Sequence, residues 1–230
     1  MACWGEFRHM SKPLVARPPI GFIVEGYGEY NCYPSLVQRI VGGKGFHIPS
    51  VSTRGVGSLV RNISSYLRIL VTTHHPFHII ITVDLKDAIK QKLARDCEQL
   101  KTDLEKQVKN WLEHEAQYDG RYEPLPERIT VVIQVQTFET WLIADVASLV
   151  QAGYMKKGSK QLSNVDEQVT KPAQWLRKRT KQDIKNPKYA KAMVSELDLQ
   201  VMRSNSRSFD KFFREVSSSY LRWIEACQNS

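Results

Sequence analysis

Three acidic residues stand at the ends of apolar segments, where their carboxylates could act together. Glu25 follows the run "IGFIV" and opens the turn "EGYGE", Asp84 follows "FHIIITV", and Glu139 comes shortly after "ITVVIQVQ". Hard cations such as Mg²⁺ prefer carboxylate oxygens and retain several waters. A pair of such ions about 3.5–4 Å apart can hold the attacking and leaving oxygens of a phosphoryl transfer. The acids therefore predict a metal site for phosphate chemistry, if the fold brings them together.

The apolar segments that precede these acids have the character of buried strands. Predicted strands cover residues 20–24, 78–83 and 129–136, with a further strand inside "FHIPSVSTRGVG". Apolar residues at helical spacing predict helices between them, the first with Pro34 in its first turn, another over residues 88–117, and a further one that begins at about Thr137. This alternation is typical of an α/β domain with a mostly parallel sheet. Because ligands of such sheets bind beyond the carboxyl ends of the strands, we expect the acids at one edge.

The positive charge of the chain is concentrated in its last third. Residues 1–150 carry 17 Lys and Arg against 16 Asp and Glu, a net charge of +1, whereas residues 151–230 carry 16 against 8, a net charge of +8. We expect an α/β domain over residues 18–152, with a basic helical C-terminal region over residues 153–230 packed on it. A basic surface beside a nearly neutral domain indicates a polyanionic partner such as nucleic acid. A solvated helical face would carry the same charge, so both interpretations stay open.

Several classes of protein are disfavoured by what the sequence lacks. The four cysteines (Cys3, Cys32, Cys97 and Cys227) are widely spaced, which argues against a disulfide framework or a zinc knuckle. The sequence has neither a Walker phosphate-binding motif nor a GxSxG motif for covalent catalysis. No apolar stretch reaches the roughly 18–20 residues needed to cross a membrane, and no signal peptide is recognisable. We therefore expect a cytoplasmic protein with no membrane partner.

Each of the acids also has an ordinary interpretation as a turn residue or a helix cap. Asp87 lies three residues after Asp84 and offers a further carboxylate. Glu139 and Asp145, six residues apart, cannot share one helical face well. Glu139 is thus the better ligand candidate, and Asp145 is expected to cap or pair locally. Whether Asp87 or Glu139 completes the site stays open.

Four segments taken in order resemble the landmarks of a prokaryotic Toprim-like family, the domain-of-unknown-function family numbered 4276: "FIVEGYGE", "IIITVDLKD", "FETWLIAD" and "SRSFDKFF". Toprim is the topoisomerase–primase fold, which also occurs in overcoming-lysogenization-defect (OLD) nucleases. The resemblance implies a Toprim-like, Rossmann-like sheet with a glutamate after the first strand and an Asp-x-Asp motif after a later one. That glutamate is implied to act in acid/base chemistry, and the aspartates to hold Mg²⁺ or Mn²⁺.

The match to the Toprim motif departs from the family pattern at one position. Glu25 corresponds to the glutamate and Asp84 to the first aspartate, but Lys86 occupies the second aspartate position. Asp87 would then supply the missing carboxylate, or Lys86 would contact phosphate directly. Arg54 is a further candidate for a phosphate contact.

The resemblance implies a metal-dependent nuclease, the effector of a prokaryotic defence or DNA-processing module that acts with an ATPase partner. The basic region would hold the nucleic acid, with contacts from residues of one predicted helix, namely Arg177, Lys178 and Arg179. The alternative is a catalytically inactive subunit that docks nucleic acid or a partner protein, and Lys86 favours it. A third hypothesis, a small-molecule phosphotransferase, is supported only by the glycines. The sequence also leaves a homo-oligomer open.

Overall fold

A four-stranded parallel sheet forms the centre of the protein. The computed structural model describes residues 17–43, 46–184 and 186–229. Within these residues the strands are β1 (Ile20–Val24), β2 (Ser50–Ser52), β3 (His78–Asp84) and β4 (Arg128–Gln134), in the order β2-β1-β3-β4. All three pairings are parallel. The predicted α/β fold with a mostly parallel sheet flanked by helices is confirmed.

Helices connect the strands and then continue alone to the end of the chain, as the sequence predicted. In the described residues they are α1 (Tyr27–Ile40), α2 (Val56–His74), α3 (Leu85–Lys90), α4 (Cys97–His114), α5 (Phe138–Ile143), α6 (Val146–Gln151), α7 (Val165–Gln168), α8 (Pro172–Arg179), α9 (Pro187–Glu196), α10 (Leu199–Asn205) and α11 (Arg207–Gln228). Two short 3₁₀ turns lie between α4 and β4.

Alternate residues of each strand enter two separate cores. Phe22 and Val24 of β1 pack with α1, α5 and the C-terminal helices, whereas Ile23 packs on the other face with α2 and α4. Every residue of β1 and β3 is buried. Burial on both faces explains why these strands are continuous apolar runs without polar alternation.

The C-terminal region shares the first of these cores. Trp141 of α5 is fully buried, and its ring lies 4.9 Å from that of Phe212 in α11. Helix α11 begins at the cap Ser206, whose hydroxyl accepts the Phe209 backbone N–H at 3.1 Å. The C-terminal helices therefore help to fix α5, which borders the acidic edge of the sheet. The division after residue 152 stays a prediction.

Three helices depart from their predicted bounds. Helix α1 begins at Tyr27, so Pro34 lies inside it and not in its first turn. The single helix predicted over residues 88–117 is interrupted between Lys90 and Cys97. The helix predicted after residue 137 is divided into α5 and α6 by Asp145, whose side chain caps α6 by accepting the Ser148 N–H at 3.1 Å. The local capping role expected for Asp145 is confirmed.

The structure also describes three of the cysteines and the character of the helices. Cys32, Cys97 and Cys227 are free thiols, while Cys3 and the N-terminal segment searched for a signal peptide lie outside the described residues. Among the helices described here, none combines the length and the apolar character that crossing a membrane requires.

Candidate metal centre

The acidic residues gather where the direction of the chain across the sheet reverses. The chain passes from β1 to β2 on one side and then returns to β3 on the other side of β1. Such a reversal opens a crevice at the carboxyl ends of the two central strands, where α/β proteins bind ligands. Glu25 directly follows β1, and Asp84 is the last residue of β3.

Backbone contacts hold Glu25 in this crevice. Its Oε2 accepts the backbone N–H of Asp84 at 3.0 Å. Its own carbonyl oxygen accepts the N–H of Gly55 at 2.9 Å, in the loop that begins α2. The orientation of the glutamate is thus set by the two strands and by the loop that enter the site.

Three carboxylates are close enough to share one cation. Ligand atoms of Glu25, Asp84 and Asp87 all lie within 4.8 Å of one another. Asp84 is only 7% exposed, and its Oδ1 is buried without a hydrogen-bond partner. A buried, unpaired carboxylate oxygen is costly unless a ligand supplies the missing interaction. The donor set consists of oxygens alone, which is the set that Mg²⁺ or Mn²⁺ prefers.

The electrostatics of the group favour a positive ligand. Burial raises the pKa of Glu25 to about 7, and the charge of Asp87 adds to this, although hydrogen bonds from the backbone of Asp84 and Val56 oppose it. Burial, followed by the charges of Glu29 and Glu25, raises the pKa of Asp84 well above its usual range. A bound divalent cation would reverse this balance, because it favours the ionised carboxylates.

Glu29 is a further buried acid that the sequence reasoning did not place in the site. It is 5% exposed, and burial, followed by the charges of Glu139 and Glu25, raises its pKa to about 7. It occupies the third position of α1 and folds back on the cap Gly26, where an added Cβ would lie 2.8 Å from Oε2. The spacing of a helix cap and a glutamate three residues later was the available signal.

Glu139 lies beside the group of three and not within it. It stands in the first turn of α5, and its Oε2 accepts the Thr137 hydroxyl at 2.6 Å. Its charge contributes to the raised pKa of both Glu29 and Asp84. The structure thus brings Glu139 to the rim of the site, while Asp87 joins the carboxylates that can share a cation.

A cleft of about 370 Å³ includes Asp87 and Glu139 among its lining residues and is also lined by cations. Lys86 lies in it, and its Nζ donates to the Thr170 carbonyl oxygen. Lys171, which the sequence reasoning missed, lines the cleft as well. Its lining residues are Lys86, Asp87, Thr137, Glu139, Lys171, Pro172, Ala173, Gln174 and Arg177. Acids and cations lining one cleft suit a phosphate that approaches a bound metal.

The remaining basic candidates lie at different distances from this cleft. Arg177 lines it, whereas Lys178 and Arg179 line an adjoining groove together with Trp175. The Arg179 guanidinium lies 4.2 Å from the centre of the Trp175 ring. Arg54 is exposed and has a φ of 61°, which is uncommon for a residue other than glycine. It directly precedes Gly55, the residue bonded to the Glu25 carbonyl oxygen.

Comparison with known proteins places the chain in a family. Residues 24–217 match the family described as "Domain of unknown function (DUF4276)". The chain belongs to this family. The family membership inferred from the four sequence segments is confirmed. The part of this chain that matches DUF4276 includes all of the acidic residues described above.

Two further comparisons add little to the DUF4276 assignment. No curated protein matches the chain. A solved structure of the C-terminal region of the Xanthomonas campestris pv. campestris OLD protein is similar, with a TM-score of 0.40 and 14% sequence identity. The similarity covers 88% of this chain and 98% of that chain. This likeness is too weak to support an inference about activity.

Proposed function

We propose that the protein is a metal-dependent phosphodiesterase that cleaves nucleic acid. The observation that carries this proposal is the group of Glu25, Asp84 and Asp87, with ligand atoms within 4.8 Å of one another, beside a cleft lined by cations. The three carboxylates would hold Mg²⁺ or Mn²⁺, which would polarise the phosphate and neutralise developing charge.

Glu25 is the residue best suited to move a proton. Burial raises its pKa to about 7 without metal, and a bound cation would favour the ionised form, which can accept a proton. The hydrogen bond from the Asp84 backbone N–H orients the carboxylate in the crevice. Glu25 would accept a proton from the attacking oxygen or donate one to the leaving oxygen. Lys86, Lys171 and Arg177 would bind the phosphate from the cleft.

The experiment is cleavage of supercoiled plasmid and of a mixed RNA pool with Mg²⁺, Mn²⁺ or EDTA. Wild type is compared with Glu25→Gln and with Asp103→Asn, which neutralises an exposed carboxylate on α4 away from the site. We expect metal-dependent cleavage by wild type and Asp103→Asn, and its loss in Glu25→Gln. Equal cleavage by wild type and Glu25→Gln, or cleavage that persists in EDTA, would refute the proposal.

We also propose that the enzyme is an effector that acts with an ATPase partner, on the basis of its Toprim-like sequence landmarks. The sequence has no Walker motif, so ATP-dependent control would have to come from a second protein. The cleavage assay is therefore repeated with any ATPase that a neighbouring gene encodes, with and without ATP. Cleavage that is unchanged by that ATPase would argue against the partnership and would leave the nuclease proposal intact.

A binding subunit without activity is the second candidate, and Lys86 is the observation that favours it. Lys86 occupies the position of the second Toprim aspartate. Its side chain lines the cleft and donates to the Thr170 carbonyl oxygen. A docking subunit would bind nucleic acid equally well with or without EDTA and would not cleave it, even with the ATPase present.

A further inference from the structure

An apolar recess of about 280 Å³ lies next to the acidic cleft. It is formed by α1, α5 and the beginning of α9, and its described walls carry two aromatic rings and aliphatic side chains together with the polar groups of Asn31 and Glu139. The lining residues are Tyr27, Gly28, Asn31, Phe138, Glu139, Leu142, Ile184, Pro187 and Ala190. This composition suits a flat apolar group with a few polar atoms at its edge.

The recess, the cleft and the basic groove form one continuous track. Glu139 lines both the recess and the cleft. Lys171 and Gln174 line both the cleft and the groove that contains Trp175. Along the track, an apolar lining is therefore followed by the cleft, which contains Asp87, Glu139 and cations, and then by the basic groove. That order matches a nucleotide, with its base in the recess and its phosphates in the cleft and the groove.

Tyr27 offers a stacking surface at the mouth of the recess. Its side chain is 65% exposed, so the ring is open to solvent. Its ring stacks on that of Tyr30, with centroids 5.9 Å apart and planes within 16°. This partner holds the Tyr27 ring in place, so little conformational freedom would be lost when a base stacks on it.

We propose that the recess receives an unstacked base, so that the site acts on single-stranded nucleic acid or on unpaired nucleotides. This inference rests on the proposed nuclease function and specifies its substrate. A base inside an intact duplex is covered by its neighbours above and below, and it cannot enter a recess unless it leaves the stack. The carboxylate of Glu139 and the amide of Asn31 would contact the edge of the base.

The test measures binding by fluorescence anisotropy with Mg²⁺ in the Glu25→Gln background, so that cleavage does not consume the probe. Single-stranded DNA, single-stranded RNA, a duplex of the same sequence and a strand with one abasic site are compared. We expect a single strand to bind about tenfold more tightly than the duplex. Tyr27→Ala should weaken single-strand binding about tenfold and leave duplex binding unchanged.

The control is Tyr118→Ala, which removes another exposed tyrosine, in a 3₁₀ turn after α4. It should alter neither affinity, and circular dichroism should show both variants folded. Equal affinity for single strand and duplex, or an equal effect of Tyr27→Ala on both, would overturn the inference. If duplex is cleaved in a metal-dependent way without this preference, the nuclease proposal stands and the inference alone fails. If no nucleic acid binds, both fail.

Discussion

Two buried aspartates on the same side of the sheet have opposite surroundings. Asp166 of α7 is 3% exposed, and its carboxylate accepts the Ser206 hydroxyl at 2.9 Å, the Ser208 hydroxyl at 3.0 Å and the Ser208 N–H at 2.8 Å. Asp84 is nearly as buried, yet its Oδ1 has no partner and its nearest charges are other acids. Burial alone therefore does not distinguish the two carboxylates; their hydrogen bonds do.

The contrast separates acids that connect two helices through hydrogen bonds from an acid that has an oxygen without a hydrogen-bond partner. Asp166 connects α7 to the beginning of α11, and Asp145 similarly connects α6 to the residue before α10 by accepting the Asp198 N–H at 2.7 Å. Each of these carboxylates accepts hydrogen bonds from protein groups in place of water. Asp84 has lost water without such replacement, which costs stability unless a cation binds there.

The largest effect is expected from removal of the satisfied carboxylate. Asp166→Ala leaves two buried hydroxyls and one buried N–H without their acceptor, and we expect the free energy of unfolding to fall by about 3 kcal/mol. Urea denaturation followed by circular dichroism measures this loss. Asp166→Asn, which keeps one acceptor oxygen, should lose less. An unchanged denaturation midpoint for the alanine variant would show that the network contributes little.

The second prediction concerns the pH dependence of stability without metal. The pKa of Glu25 and of Glu29 is raised from 4.5 to about 7 in the folded protein. The folded state therefore binds more protons than the unfolded state in this interval, so these groups favour folding below about pH 4.5 and the contribution is lost as pH rises through 7. One such group changes stability by at most about 1.4 kcal/mol per pH unit.

The difference in stability between wild type and Glu25→Gln isolates the contribution of Glu25. His78, whose pKa is lowered to about 4 chiefly by burial, has the opposite slope and cancels in the difference. Denaturation midpoints of both proteins are measured in EDTA between pH 4.5 and 8. We expect wild type to lose stability relative to the variant as pH rises, and excess Mg²⁺ or Mn²⁺ to reduce that loss at pH 8. Parallel curves would contradict the prediction.

The same chemical change should have opposite effects at the two aspartates. Asp84→Asn removes a buried charge that lacks a compensating partner, so we expect the metal-free protein at pH 8 to become more stable by about 1–2 kcal/mol. Asp166→Asn should be destabilising. Thermal denaturation in EDTA and in Mg²⁺ measures both, and Asp84→Asn should also abolish stabilisation by the metal. If both variants shift in the same direction, the distinction between the two carboxylates fails.

The strands and the three acids that follow them could be predicted because they depend on local sequence. Continuous apolar runs such as Ile20–Val24 indicate strands buried on both faces, and parallel strands bring the residues at their carboxyl ends to one edge. The first residue of α1 was harder to predict, because Pro34 is typical of a first helical turn but lies inside this helix. Glu29 was missed for that reason.

Lys86 and Arg177 could be named individually as phosphate contacts, but their meeting in one cleft could not be predicted from local sequence. Lys86 and Thr170 are 84 residues apart, and they meet only because α7 and α8 pack beside α5. The apolar recess likewise combines residues from α1, α5 and α9. Such juxtapositions depend on how helices pack on the sheet, and charge counts along the chain indicate only that a polyanion is a reasonable partner.

The smallest effect on stability is expected from substitution of Lys86. This residue is half-buried and belongs neither to the group of metal-site acids nor to the hydrogen-bond network of Asp166. Lys86→Met retains an apolar side chain of similar length and should change the free energy of unfolding by no more than about 0.5 kcal/mol. If Lys86 contacts phosphate, the variant should bind all nucleic acids more weakly, and the salt dependence of log affinity should become shallower by about one charge. Binding titrations over a range of KCl concentrations in the Glu25→Gln background measure both quantities. Unchanged affinity and slope would show that Lys86 only anchors the Thr170 segment to the cleft.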